Sequence, residues 1–168
     1  EENYQATVSE DEEVIEITVE NDKIPELKTT AAIDGKKEVG ATEVFTLEDV
    51  ITYKHLVPGK EYTVKGVLMD KSTEKELLID GKKITSEVKL IPEEPTGEVI
   101  VSFELDARYI KENTDIVVFE SLYSKDKELA VHADIEDEGQ AVTVKIPEIG
   151  TKASVDGKKE FTANGDVT

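Results

Sequence analysis

The sequence predicts an all-β chain folded as an antiparallel sandwich, and three observations predict it. Short segments rich in β-branched and aromatic residues recur along its length. Turn chemistry separates them at Asp34-Gly35, Pro58-Gly59, Asp80-Gly81 and Pro95-Thr96-Gly97. Helical signal is scarce, residues 106–110 amounting to one turn at most. Taken in order, residues 14–19 alternate as a strand, and residues 27–33 and 47–53 place apolar side chains on one parity. Residues 61–69, 83–90, 99–105 and 116–120 come next as strands, and residues 140–146 close the set. Short strands at this spacing indicate a sandwich.

Composition narrows the function classes. The 168 residues suit one domain with fragments of neighbours and suffice to bury a core. With 20 basic against 39 acidic residues the net charge is -19, which repels nucleic acid and anionic membrane surfaces, so neither is expected as a partner. Cysteine is absent, which removes disulfides, thiol nucleophiles and thiolate metal sites. No apolar run approaches the ~18 residues of a membrane span. Residues 1–15 are too acidic for a signal peptide, so a targeting or anchoring segment is expected outside this fragment.

The chain repeats itself. Residues 24–38, which open Ile24-Pro25-Glu26-Leu27, match residues 146–160, which open Ile146-Pro147-Glu148-Ile149, and both carry Asp-Gly-Lys-Lys-Glu. The offset of ~120 residues is a domain length, so the sequence reads as part of a tandem array. One complete unit is expected over residues 23–145. Residues 1–22 then hold the closing strand of a preceding domain, and residues 146–168 the opening strands of the next repeat. The preceding domain is expected to be of another type, because nothing like residues 132–140 precedes its strand.

Polar groups stand where the strand period calls for apolar ones. Gln140 shares a face with Val142, Val144 and Ile146; Thr29 with Leu27, Ala31 and Ile33; Asp49 with Leu47, Ile51 and Tyr53. Glu120 shares one with Ile116, Val118 and Leu122, although Val117 and Phe119 make the opposite face an equal candidate for the core. An ionised carboxylate alone in an interior is costly enough to neutralise or find a partner, so these groups are expected to meet.

The set has a chemistry. Thr29 lies in the first strand of the unit and Gln140 in the last, adjacent positions in an immunoglobulin-like sandwich. A threonine hydroxyl beside a carboxamide can attack its carbonyl carbon, expel ammonia and leave an ester. The hydroxyl needs a base, and His132 is the natural candidate near neutral pH. Asp49 and Glu120, held together in an apolar site, would share one proton and polarise the amide. Parity and the repeat both select Thr29 over Thr30, since Thr151 aligns with Thr29 while Lys152 aligns with Thr30. Asp134, Asp137 and Glu138 do not have the spacing of a calcium loop, and no metal or other cofactor is expected. Asp134 and Asp137 are instead expected to hold the turn before the last strand. His55 reads as a loop histidine, and Asn21 as a turn residue, with half of an isopeptide in the preceding domain as the other reading.

These residues carry a resemblance. The unit resembles the ester-bond domains, also described as VaFE repeats, that form stalks of Gram-positive surface adhesins and pilus-like proteins. The matching residues are Thr29 in Leu27-Lys28-Thr29-Thr30-Ala31, Asp49 in Leu47-Glu48-Asp49-Val50-Ile51, Glu120 in Val117-Val118-Phe119-Glu120, and His132, Asp134, Asp137 and Gln140 in the run ending the unit. The resemblance implies an autocatalytic ester between Thr29 and Gln140, His132 as proton acceptor and Asp49 with Glu120 as the acidic pair. It further implies a monomeric, cell-wall-anchored structural module whose partners are neighbouring domains of its own chain, with any host receptor bound elsewhere in the full protein. Two other functions compete: a hydrolase built on Thr29, His132 and an acid, and a ligand-binding adhesin tip, which the 5% aromatic content without tryptophan disfavours.

Overall fold

The computed structural model describes residues 4–8, 15–19, 24–154, 157 and 159. Its strands are β1 (Tyr4–Val8), β2 (Ile15–Val19), β3 (Glu26–Ile33), β4 (Glu38–Gly40), β5 (Val44–Lys54), β6 (Tyr62–Asp70), β7 (Lys75–Glu76), β8 (Leu78–Ile79), β9 (Lys82–Lys83), β10 (Thr85–Leu90), β11 (Gly97–Asp106), β12 (Thr114–Ser124), β13 (Lys127–His132) and β14 (Ala141–Lys145). The expected helical remnant is a single 3-10 turn, Ala107–Tyr109, capped by the Asp106 carboxylate accepting from the Arg108 N–H. An all-β sandwich is the observed class.

Two sheets enclose the core. The smaller has the order β11-β5-β3; the larger has the order β10-β6-β12-β14-β4, with β13 also on β12 and β7 on β6. Strand β5 buries every second residue, Phe45, Leu47, Asp49, Ile51 and Tyr53, which is the pattern of a strand with one dry face. The expected turn at Asp34-Gly35 takes positive φ at both residues and carries the chain from β3 in one sheet to β4 in the other. Asp80-Gly81 makes the same turn between β8 and β9, so the expected strand at 83–90 is interrupted after Lys83.

The ladder along β12 is irregular. This strand is long, and one of its edges is shared: β13 pairs with its C-terminal half, Glu120 opposite His132, and β14 with its N-terminal half, Val117 opposite Ala141. Between them residues 133–140 leave the ladder, so the closing strand is broken by an excursion directly beside Glu120. Gln140, expected within that strand, instead ends the excursion, its carbonyl accepting from the Val118 N–H at 3.3 Å while its side chain remains fully buried.

The ends of the chain differ in one respect from expectation. β2 forms a strand where residues 14–19 predict one, and it pairs antiparallel with β1. Residues 146–154 have no regular structure; their counterpart β3 is held by β5, and no such strand succeeds them among the described residues. Asn21 lies outside the described residues.

Close packing across the sandwich leaves no room for a side chain at position 66. Gly66, in register with Glu120 on β12, lies beneath the Phe103 ring, and a Cβ there would stand 2.5 Å from Phe103 Cζ. The ring is rigid and almost fully buried, so it has nowhere to go. Gly66→Ala is expected to destabilise the domain by about 1–3 kcal/mol, read as a lower denaturation midpoint; an unchanged midpoint would contradict this packing.

Candidate functional site

The four anomalous polar residues are all buried at the sandwich interior: Thr29 is 4% exposed, Asp49 0%, Glu120 1% and Gln140 0%. Parity predicts this for three of them, and the structure resolves the fourth. Glu120 points to the core alongside Ile116, Val118 and Leu122, while Val117 is buried too, on the other parity of the strand. Lys28, on the other parity of β3, lies off the buried face that carries Thr29, so no amine competes with the Thr29 hydroxyl from that strand.

Backbone pairing brings them together. In the smaller sheet Thr29 stands opposite Ile51 and Ala31 opposite Asp49, so Thr29 and Asp49 are diagonal neighbours on the inward face. The other edge of β3 meets the excursion, where the Ala31 N–H donates to the Gly139 carbonyl at 3.0 Å. Glycine at position 139 makes room for the Asp137 carboxylate, since a Cβ there would come 2.9 Å from its Oδ1. Gln140 is the next residue, and its Nε2 reaches Asp49 Oδ1 at 3.5 Å, the outer limit of a hydrogen bond.

Hydrogen bonding in this cluster is incomplete. Among the described residues, the buried side-chain atoms without a partner are Thr29 Oγ1, Asp49 Oδ2, both carboxyl oxygens of Glu120 and Gln140 Oε1. Interiors rarely tolerate one such atom, and here five sit in one cluster. Two ionised carboxylates cannot bond to each other, but a proton on one turns it into a donor for the other. Burial, reinforced by the neighbouring Asp49 carboxyl, pushes Glu120 up to about 10. Burial raises Asp49 as well, opposed by hydrogen bonding to Glu120, by His132 and by the Thr30 N–H. At neutral pH Glu120 therefore keeps its proton.

His132 ends β13 opposite Glu120, and its side chain is 22% exposed. Its Nε2 lies 2.9 Å from Asp137 Oδ2, a contact that orients the ring. Asp137 Oδ1 accepts the Gly139 N–H at 2.7 Å, and this bond, more than the histidine, holds its pKa below the ordinary value. Asp134 Oδ1 accepts the Glu136 N–H at 3.0 Å, and the Asp137 carbonyl accepts the Gln140 N–H at 3.1 Å. Asp134 and Asp137 thus each accept a backbone N–H within the turn. Asp137 has a second task that spacing does not announce, gripping His132; the available signal is a carboxylate five residues beyond the histidine across a turn. His55 stands apart, its Nδ1 within 3.1 Å of the Ile24 carbonyl.

No curated protein matches the chain. Among solved structures, a bacterial adhesin from Mobiluncus mulieris containing intramolecular disulfide, isopeptide and ester bond cross-links is similar in two crystal forms, each with a TM-score of 0.62, at 16% and 17% identity. The alignment covers 74% of this chain and 58% of the adhesin chain, so the present sequence spans little more than half of that protein. At such identity the likeness speaks for the fold. A family model described as "T-Q ester bond containing domain" matches residues 25–144. The match spans most of the chain and includes the threonine, the glutamine and the carboxyl pair between them, so the chain belongs to the family of T-Q ester bond containing domains.

Proposed function

We propose that residues 23–145 form a structural stalk module of an extracellular, cell-surface adhesin, closed by an ester between Thr29 and Gln140 that the domain makes in itself. The observation that carries this reading is the burial of a threonine hydroxyl and a carboxamide, each with an unpartnered oxygen, beside a carboxyl pair that shares a proton. His132, oriented by Asp137, takes the proton from Thr29 Oγ1 as that oxygen attacks Gln140 Cδ. Protonated Glu120 donates to the oxyanion that develops on Oε1, and Asp49 accepts from the departing nitrogen. The Cδ–Nε2 bond breaks, the nitrogen takes up the proton from His132, and ammonia leaves. Fixed neighbours in a folded core supply the effective molarity that an amide and an alcohol lack in water.

The module is no enzyme in the sense of turnover: its four central side chains are closed to solvent, which disfavours a hydrolase acting on added substrates. Residues 1–22 and 146–168 belong, in this reading, to the flanking domains of a tandem array, the former of another type. A tie between β3 and the residue that leads into β14 passes tension from one neighbour to the next without straining the ladder between them, which suits an array anchored to the cell wall.

Intact mass of the denatured chain tests the proposal. The expected value falls short of the sequence mass by one ammonia, and hydroxylamine on unfolded protein opens the link. A full sequence mass in folded, purified protein would overturn the ester; a mass deficit resistant to hydroxylamine would overturn its chemistry.

A further inference from the structure

Lys37 has no role in the transfer of protons or the attack on Gln140, yet it touches the site from outside. It lies just past the Asp34-Gly35 turn, and its own carbonyl accepts the Thr143 N–H at 2.7 Å, which fixes its backbone against β14. Its side chain turns back along the excursion, donating from Nζ to the Gly139 carbonyl at 2.7 Å and reaching the Glu138 carbonyl at 3.5 Å. The Gly139 carbonyl already accepts from Ala31 of β3, so three segments converge on the peptide bond that leads into Gln140. The ammonium thus reaches two backbone carbonyls of the excursion rather than an acidic side chain.

We propose, building on the Thr29–Gln140 reading, that Lys37 is a positioning residue for ester formation, clamping the Gly139–Gln140 peptide against β3 and turning a positive charge toward the site. Its charge has the right surroundings. Partial burial of the ammonium lowers its pKa, while the Asp49 and Asp137 carboxylates act in the opposite sense. Asp49 in turn faces Glu120 from β12, His132 from β13 and the Thr30 N–H from β3, and Lys37 is the lysine acting on it. Removing the Lys37 charge raises the pH at which Asp49 gives up its proton. The second copy of the repeat keeps the pair at the same spacing, Lys159 standing to Thr151 as Lys37 stands to Thr29.

The test uses full-length chain isolated unfolded, refolded into buffers from mildly acidic to mildly alkaline pH, quenched at intervals and weighed for loss of ammonia. In Lys37→Met the rate is expected to fall about tenfold and the acid limb of its pH profile to move to higher pH. Lys37→Arg restores the wild-type profile, while Lys37→Gln, which keeps an N–H donor without the charge, retains the displaced limb. A wild-type profile in both Lys37→Met and Lys37→Gln overturns the inference, and so does a slower rate with an unmoved acid limb, which is what packing alone would give. Wild-type protein that never loses ammonia overturns the ester reading itself, a separate outcome. If Lys37→Met does not refold, the Arg and Gln variants decide between charge and contact.

Discussion

Replacing Thr29 with alanine is expected to leave the chain at its full mass and to lower its stability by roughly 4 to 5 kcal/mol, the loop-entropy estimate for releasing a closure of about 110 residues. The estimate is that used for disulfides and applies because the proposed tie would join β3 to the end of the excursion, enclosing nearly the whole sandwich. Two smaller effects accompany it. The variant deletes an unpartnered buried hydroxyl, which slightly favours it, and it leaves a methyl-sized gap, which does not. Because the unfolded chain is no longer closed, it expands, so the denaturant m value rises as the midpoint falls. Thr29→Ser keeps a hydroxyl in place and is expected to retain both the mass deficit and the low m value. Equal midpoints and equal m values for wild type and Thr29→Ala would show that no closure exists.

The second large effect is an inverted pH dependence once the tie is gone. Folded Glu120 titrates at about 10 against an ordinary value of 4.5, so between those limits the folded state holds a proton that the unfolded chain has shed. Stability is then fully present below the ordinary carboxylate range and is lost as pH rises toward the folded value. Asp49 is raised too and acts with the same sign, whereas lowered Asp137 changes stability only in the acid range. Thr29→Ala should therefore melt at steadily lower temperature as pH climbs from about 5 to about 9, the reverse of a protein governed by paired carboxylates. Adding Glu120→Gln to that background removes the titrating group and should flatten the curve; in the otherwise native chain the same substitution should also slow ester formation, since an amide is a weaker donor to the oxyanion. A flat melting profile for Thr29→Ala alone would mean that Glu120 is ionised in the fold.

The site is legible in the sequence to different depths at different residues. Thr29 and Asp49 can be placed inward from spacing alone, because a strand alternates strictly and their neighbours of the same parity are apolar. Glu120 cannot, because both parities of β12 are apolar and both are partly buried. Spacing sets Gln140 within the closing strand, whereas it lies at the end of an excursion that interrupts the ladder; the inward direction is right and the backbone around it is not. β13, the grip of Asp137 on His132 and the reach of Lys37 have no periodic signal, since each depends on how a turn folds back on itself.

The class of fold, the inward direction of three polar side chains and the repeat that frames the unit are already present in the order of residues, because alternation and turn chemistry act over a few neighbours. Which polar groups share one dry space, and which of them keeps the proton, emerges only when the sheets close on each other. Strand order sets the first and mutual burial the second, and both depend on residues about a hundred positions apart meeting across the sandwich.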